Sequence, residues 1–320
     1  MQHFTDDRAS AADGNPDKPY VGRFAPTPSG PLHLGSLLTA TASWLQARAR
    51  GGRWLLRIDD LDRPRCPPGM DAVILQQLED HGLHWDGLPR YQTRCQSEYD
   101  AAMERLLADD LAYPCSCTRA RLQETSLPGP DGPVYDGRCR RQPPEPGKPL
   151  ALRFRVGTGW LRFADLWQGG QQRRLETEVG DFVLRRSDGM TGYQLACAVD
   201  ERYQGITEVL RGADLLGSTF RQLALMQRLG WSAPAYAHGP LLLGSDGLKL
   251  SKQNHAAPLQ AQDAGSSLWH CLQTLRQDPP PALRGAPPAE ILAWGLAHWH
   301  PAALCGGAAS QGGDSLTVLA

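Results

Sequence analysis

Between Tyr20 and Ile58 the sequence sets out a strand, a turn, a helix and a second strand, and this restricts the fold more than any other segment. YVGRF is a short strand-like run, and the APTPSGP that follows can neither extend it nor begin a helix before Pro31. Leu37, Leu38, Thr41, Trp44, Leu45 and Arg48 then recur at helical spacing, and Gly51 and Gly52 close the segment. RWLLRI reads as the second strand. Together these make a βαβ unit, so the expected fold is α/β, with a parallel sheet and a ligand at the C-terminal ends of its strands.

The rest of the chain divides by composition. Residues 70 to 111 give two amphipathic helices. From Pro114 to Pro149 the sequence is rich in Pro, Gly and Arg and holds Cys115, Cys117 and Cys139, as an inserted lobe would. Residues 151 to 186 alternate as antiparallel strands do, and the α/β pattern resumes near Tyr193, with TEVLRGADLL leading into a helix that ends near Leu229. The expected division is a flexible tail (1–18), the first half of the core (19–111), an inserted lobe (112–192), the second half of the core (193–254), a short helical part (255–305) and a frayed tail (306–320). With 41% hydrophobic residues in 320, the chain can bury a substantial core. It has no apolar run of the length a membrane span needs and no basic-then-apolar leader, so a cytoplasmic protein is expected, as a monomer and without membrane contact. Its cysteines are then reduced thiols or metal ligands; Cys197, within LACAV, reads as a buried small hydrophobe.

Two segments carry chemistry. In RFAPTPSGPLHLGS, Gly30 and Gly35 flank His33 just ahead of a helix N-terminus, where unpaired N–H groups and the positive end of the helix dipole attract anions. The spacing departs from both the dinucleotide fingerprint and the Walker pattern. The second is LKLSKQN, residues 248–254. Lysine occurs only at positions 18, 148, 249 and 252 in a chain with 33 basic residues, so two of them close together in a Gly-flanked loop suit a polyphosphate leaving group.

Taken together, these segments resemble the paired signatures of class I aminoacyl-tRNA synthetases, with KLSKQ in the place of the KMSKS loop. GRFAPTPSGPLHLGS, LLRIDDLD, DGMTGYQLACAVDE and ITEVLRGADLL are similar, in order, to the glutamyl-tRNA synthetase catalytic domain, from about Tyr20 to Asn254. The stretch after Gln253 is too short for the helical anticodon-binding part of a discriminating glutamyl-tRNA synthetase. Together with the CxC…YxxxC insert, this resembles the truncated branch that glutamylates the queuosine base of tRNA(Asp).

The resemblance implies an interrupted Rossmann core with a zinc-bearing lobe and a short helical C-terminal part. It also implies ATP-dependent activation of L-glutamate without tRNA, Mg²⁺ accompanying ATP, and queuosine-containing tRNA(Asp) as acceptor. A truncated synthetase charging the tRNA 3′ end and a non-enzymatic zinc- and RNA-binding relative are the alternatives. Arg23, Phe24, Ala25, Pro26 and Thr27 would line the glutamate and ATP site, with Arg23 and Arg211 as carboxylate forks, Asp59 on the substrate ammonium and Tyr193 closing the pocket. His33, Gly35 and Ser36 would meet the ATP phosphates, as would Lys249 and Ser251, and Lys252 the departing pyrophosphate. Asp59 departs from the family's usual Glu and is shorter by about 1.3 Å, with Asp60 and Asp62 as fallback carboxylates. Ser36 at the fourth place of the HIGH-like motif is common in glutamyl-type members. Cys115, Cys117, Tyr135 and Cys139 would hold one structural zinc. The net charge of −1 offers no global basic field for tRNA, leaving the local clusters Arg119/Arg121, Arg138/Arg140/Arg141, Arg173/Arg174 and Arg185/Arg186 as candidates for it.

Overall fold

The computed structural model describes residues 19–243, 257–305 and 317–319. The expected βαβ unit is β1 (Val21–Phe24), α1 (Leu34–Ala49) and β2 (Arg53–Ile58), with β1 and β2 parallel and Arg23 opposite Leu55. Gly51 sits just past the end of α1 at φ 59°, a conformation only glycine adopts without strain. α1 is buried on nearly every side, with Leu37, Leu38, Ala40, Ala42, Leu45 and Ala47 in one core and the Trp54 indole of β2 donating to Ser43 Oγ at 2.9 Å. Small residues on this helix let the sheet on one side and the C-terminal helices on the other approach it closely.

The two amphipathic helices are α2 (Met70–Asp80) and α3 (Gln96–Ala108), with the short β3 (Arg90–Tyr91) between them pairing in parallel with β2. The insert begins with β4 (Ala112–Cys115), α4 (Arg119–Thr125) and α5 (Arg138–Arg141). Antiparallel pairing follows, as the alternation predicts: β5 (Ala151–Phe154) lies between β4 and β8 (Phe182–Arg185), and β6 (Trp160–Asp165) pairs with β7 (Gly169–Arg174).

After α6 (Tyr193–Tyr203), β9 (Glu208–Gly212), α7 (Leu216–Arg228) and β10 (Ala235–Gly239) form the second α/β half, with β9 and β10 parallel. The halves join where the Thr207 N–H donates to Val21 O at 2.9 Å, which sets the leading end of β9 against β1. The β6–β7 hairpin does not stay with the other insert strands. β6 pairs in parallel with β10, Tyr236 opposite Asp165, giving a sheet ordered β7-β6-β10-β9. β11 (Leu241–Leu243) pairs with β12 (Thr317–Leu319), and α8 (Ala264–Thr274) and α9 (Pro288–Ala297) pack on α1 through Leu268, Leu272, Ile291 and Leu292.

Candidate active site

The strand ends gather charge that the core could not accept unpaired. Arg23, Arg57 and Arg211 are each at most 4% exposed. Arg23 donates from Nη1 to Leu210 O at 2.9 Å and from Nη2 to Glu201 Oε1 at 3.2 Å. Arg57 forks onto Asp59, Nε to Oδ1 at 2.7 Å and Nη2 to Oδ2 at 3.3 Å, and also donates to Cys197 Sγ at 3.4 Å. Arg211 differs from both. Its hydrogen-bond partners are the neutral groups His238 Nε2 at 3.1 Å and Thr219 Oγ1 at 2.7 Å, with the Tyr236 ring 5.4 Å away, so no carboxylate in the described structure pairs with it.

Each of these guanidiniums keeps one buried N–H group without a partner in the described structure: Arg23 Nε, Arg57 Nη1 and Arg211 Nη1. Glu201 Oε2 and Tyr236 Oη are unpartnered as well. Buried polar groups are nearly always satisfied, so the orphaned guanidinium N–H groups on β1, β2 and β9 have donor capacity that an acidic ligand can take up. Burial works against the Arg57 charge, but Asp59 and Asp200 outweigh it and keep the guanidinium protonated. Burial also pushes the Cys197 thiol up to about 12, so this residue is a neutral, enclosed group as its apolar setting in the sequence suggests.

The structure brings several of the anticipated residues together. The Asp59 N–H donates to Pro26 O at 3.0 Å, tying the end of β2 to the turn after β1. Tyr193, the first residue of α6, is 40% exposed and lies within electrostatic reach of Cys197, Arg211 and Asp59. Ala25 is half-buried and Thr27 exposed, whereas the Phe24 ring stacks on Trp54 at 6.2 Å and belongs to the core. The Asp59 carboxylate, read from the sequence as an ammonium ligand, is occupied by Arg57. Of the fallback carboxylates, Asp60 accepts from the Thr93 N–H at 2.8 Å and the Thr93 hydroxyl at 2.7 Å, and Asp62 lies 4.0 Å from both Arg65 and Arg186. Arg57 was not anticipated as a site residue. A cation inside the run RWLLRI, just before its last apolar residue, was the signal available in the sequence.

His33 is the N-cap of α1, its Nδ1 accepting from the Ser36 N–H at 3.3 Å. With Nδ1 accepting, the proton of the neutral ring sits on Nε2. Gly35 and Ser36 lie in the first turn, which carries no acidic residue, so the positive helix end is not neutralised locally. Lys249, Ser251 and Lys252 lie outside the described residues.

A second cluster lies in the insert, where Cys115 ends β4 and Cys139 sits in α5. The Sγ atoms of Cys115, Cys117 and Cys139 all lie within 4.8 Å of one another, with Cys117 and Cys139 3.6 Å apart. Tyr135 Oη is 3.6 Å from Cys115 Sγ and 3.4 Å from Cys117 Sγ. Tetrahedral zinc with arms of about 2.0 to 2.3 Å needs ligand separations of about 3.5 to 3.8 Å, which these three separations of 3.4 to 3.6 Å approach. Arg153 Nε donates to Cys115 Sγ at 3.2 Å and Arg121 Nη1 to Cys117 Sγ at 3.3 Å, which suits thiolates. Burial opposes ionisation of Cys139, yet hydrogen bonds from the Ser116 backbone and from Tyr135, Cys117 and Cys115 bring its thiol down to about 7.

Most of the arginines read as RNA contacts have partners inside the chain. Arg121 pairs with Asp136, Arg138 with Glu145, Arg140 with Asp181, Arg173 with Asp131, Arg174 with Glu176, Arg185 with Asp100 and Arg186 with Asp188. No described helix is long and apolar enough to cross a membrane.

Comparison with known proteins agrees with this geometry. Residues 20–266 match the family model of class I tRNA synthetases (E and Q), catalytic domain. The chain is 49% identical over 280 residues to glutamyl-Q tRNA(Asp) synthetase of Thiobacillus denitrificans, covering 88% of this chain and 93% of that one. It is 50% identical to the protein of the same name from Ectopseudomonas mendocina, with the same coverage. Among solved structures it resembles a glutamate tRNA ligase of Elizabethkingia meningosepticum in complex with its amino acid, at 30% identity and TM-score 0.65 over 76% of this chain, spanning about half (54%) of that ligase. Paired signatures, sheet topology and identity over nearly the whole length thus agree: the chain belongs to the class I tRNA synthetases of the E and Q type and, within them, to the glutamyl-Q tRNA(Asp) synthetases.

Proposed function

We propose that this protein activates L-glutamate with ATP, without tRNA, and transfers it to the queuosine base at the wobble position of tRNA(Asp). The relatives' shared name supports the reaction, and the observation that carries the site is Arg211, a buried guanidinium with no carboxylate partner in the described structure. Arg211 and Arg23 hold the carboxylates of glutamate, with Arg57 offering a further donor. Asp59, already forked by Arg57, acts on the substrate ammonium through the oxygen lone pairs that Arg57 leaves, and Tyr193 closes the pocket from the first turn of α6.

Activation needs no protein nucleophile. The glutamate carboxylate attacks the α-phosphate of ATP in line, and the protein's task is to position the two and to stabilise the charge that shifts onto pyrophosphate. His33 Nε2–H, the Gly35 backbone N–H and the Ser36 hydroxyl receive phosphate oxygens at the α1 N-terminus. Lys249, Ser251 and Lys252 supply the cationic loop for the departing pyrophosphate. Mg²⁺ bound with ATP neutralises phosphate charge. One zinc, on Cys115, Cys117, Tyr135 and Cys139, pins the lobe within 112–192.

The deciding experiment offers labelled glutamate and ATP to tRNA with and without queuosine, then removes the tRNA 3′-terminal adenosine. Label that requires queuosine and survives removal is the expected result, together with glutamate-dependent pyrophosphate exchange in the absence of tRNA. Label lost with the adenosine would mean 3′-end charging, and no exchange at all would mean a non-enzymatic RNA-binding role; either overturns the proposal.

A further inference from the structure

Arg211 is held by a buried network that the reading above does not use. Asp165, at the end of β6, accepts three backbone N–H groups on Oδ1: Trp167 at 3.0 Å, Gln168 at 2.9 Å and His238 at 3.2 Å. Its Oδ2 lies 2.5 Å from His238 Nδ1, and both side chains are fully enclosed. On the far side of the ring, His238 Nε2 is 3.1 Å from Arg211 Nε and 3.1 Å from Thr219 Oγ1.

Only one proton arrangement satisfies this network. A guanidinium has donors and no acceptor, so His238 Nε2 must be the acceptor and the ring proton sits on Nδ1, donated to Asp165. Thr219 Oγ1 accepts from Arg211 Nη2, and its hydroxyl, 3.1 Å from Nε2, shares that nitrogen's one lone pair with Arg211 Nε–H. The charged and titratable groups acting on the ring are Asp165 from β6, Arg211 from β9 and Arg23 from β1, with Tyr236 stacked at 6.2 Å and itself facing Glu201 from α6. Burial lowers the imidazole pKa, Asp165 opposes this, and the Arg211 and Arg23 charges add to the lowering, so the ring stays neutral near pH 7.

We infer that Asp165 and His238 are a positioning pair for substrate recognition: they fix the imidazole tautomer whose Nε2 lone pair aims the Arg211 guanidinium at a glutamate carboxylate. The inference rests on the assignment of Arg211 as a carboxylate receptor. It gives the β6–β7 hairpin, sequence-remote from either signature motif, a direct hold on the amino-acid pocket.

Asp165→Asn tests it with almost no change in shape. The three backbone N–H groups keep the amide oxygen where Oδ1 was, so the amide NH₂ faces His238 Nδ1 and forces the proton to Nε2, against the Arg211 N–H. Measured by pyrophosphate exchange, the glutamate KM should rise about tenfold or more, while the ATP KM stays within about twofold. In ¹⁵N-histidine NMR the wild-type ring should carry its proton on Nδ1, and the Asp165→Asn ring on Nε2. His238→Gln, which offers an acceptor oxygen near the Nε2 position, should bind glutamate better than His238→Leu. An unchanged glutamate KM in an Asp165→Asn variant of normal melting temperature, or an Nε2 proton in the wild type, overturns the inference. Arg211→Lys separates the two levels. If it leaves the glutamate KM unchanged, the reading of Arg211 itself fails; if it raises KM while Asp165→Asn does not, only the positioning role fails.

Discussion

At the residue scale, the candidate site is built from charges that hydrophobic patterning alone would have kept on the surface. Asp200 shows how they are retained. Fully buried on α6, it accepts from Arg90 Nε at 2.8 Å, Gln92 Nε2 at 2.8 Å and Tyr99 Oη at 2.9 Å, and it lies 3.8 Å from Arg57 Nε. Removing one member of such a set leaves the others desolvated and unpaired. Asp200→Ala should therefore destabilise the protein by about 3 to 5 kcal/mol in denaturant unfolding. A loss below about 1 kcal/mol would show that water replaces the carboxylate and that the hub is dispensable. The sequence made Arg23 and Arg211 legible through motif resemblance. Asp200 was not, because its partners Arg90 and Tyr99 lie far away in the chain, and Arg57 was not, because an Asp two residues on does not reveal that the pair is buried beside Cys197.

At the element scale, the cap of α1 and the proposed phosphate donor are the same residue. His33 caps the helix through Nδ1, and the proposed phosphate donor is the opposite ring nitrogen. The two roles can be separated. His33→Ala should cost about 1 kcal/mol of stability and also slow pyrophosphate exchange. His33→Asn, a good N-cap with no donor at the Nε2 position, should recover the stability and leave exchange slow. Recovery of both would reduce His33 to a cap. The helix itself was legible because Leu37, Leu38, Thr41 and Leu45 repeat at its period and Pro31 and Gly51 bound it. The partner of the β6–β7 hairpin was not legible, since alternation marks a strand without naming its neighbour, and β6 meets β10 some seventy residues later.

At the scale of the whole molecule, the insert contributes in two directions. Its β6–β7 hairpin enters the sheet of the second α/β half, whereas Tyr113, Cys115, Tyr135 and Cys139 form a small cluster of their own. So small an apolar cluster gives little stability unaided, and the proposed zinc would supply what it lacks. About one zinc per chain is expected by metal analysis, and chelation should raise hydrogen exchange across 112–142 while leaving α1 and β1 protected. Less than about half an equivalent of zinc after gentle purification, or unchanged exchange on chelation, would sink the metal assignment.

The βαβ start, the order of the helices and strands around the insert, the metal-like thiol spacing and the family can all be read from the residues alone, because each is written in local periodicity or in short contiguous motifs. It took the assembled fold to show that Arg23 pairs with Glu201, that most of the surface arginines are paired within the chain, and that Asp165, His238 and Thr219 converge on Arg211. Burial and pairing are properties of the assembled sheet. A charge's partner is set by which strands lie side by side, and the chain brings those strands together from positions far apart.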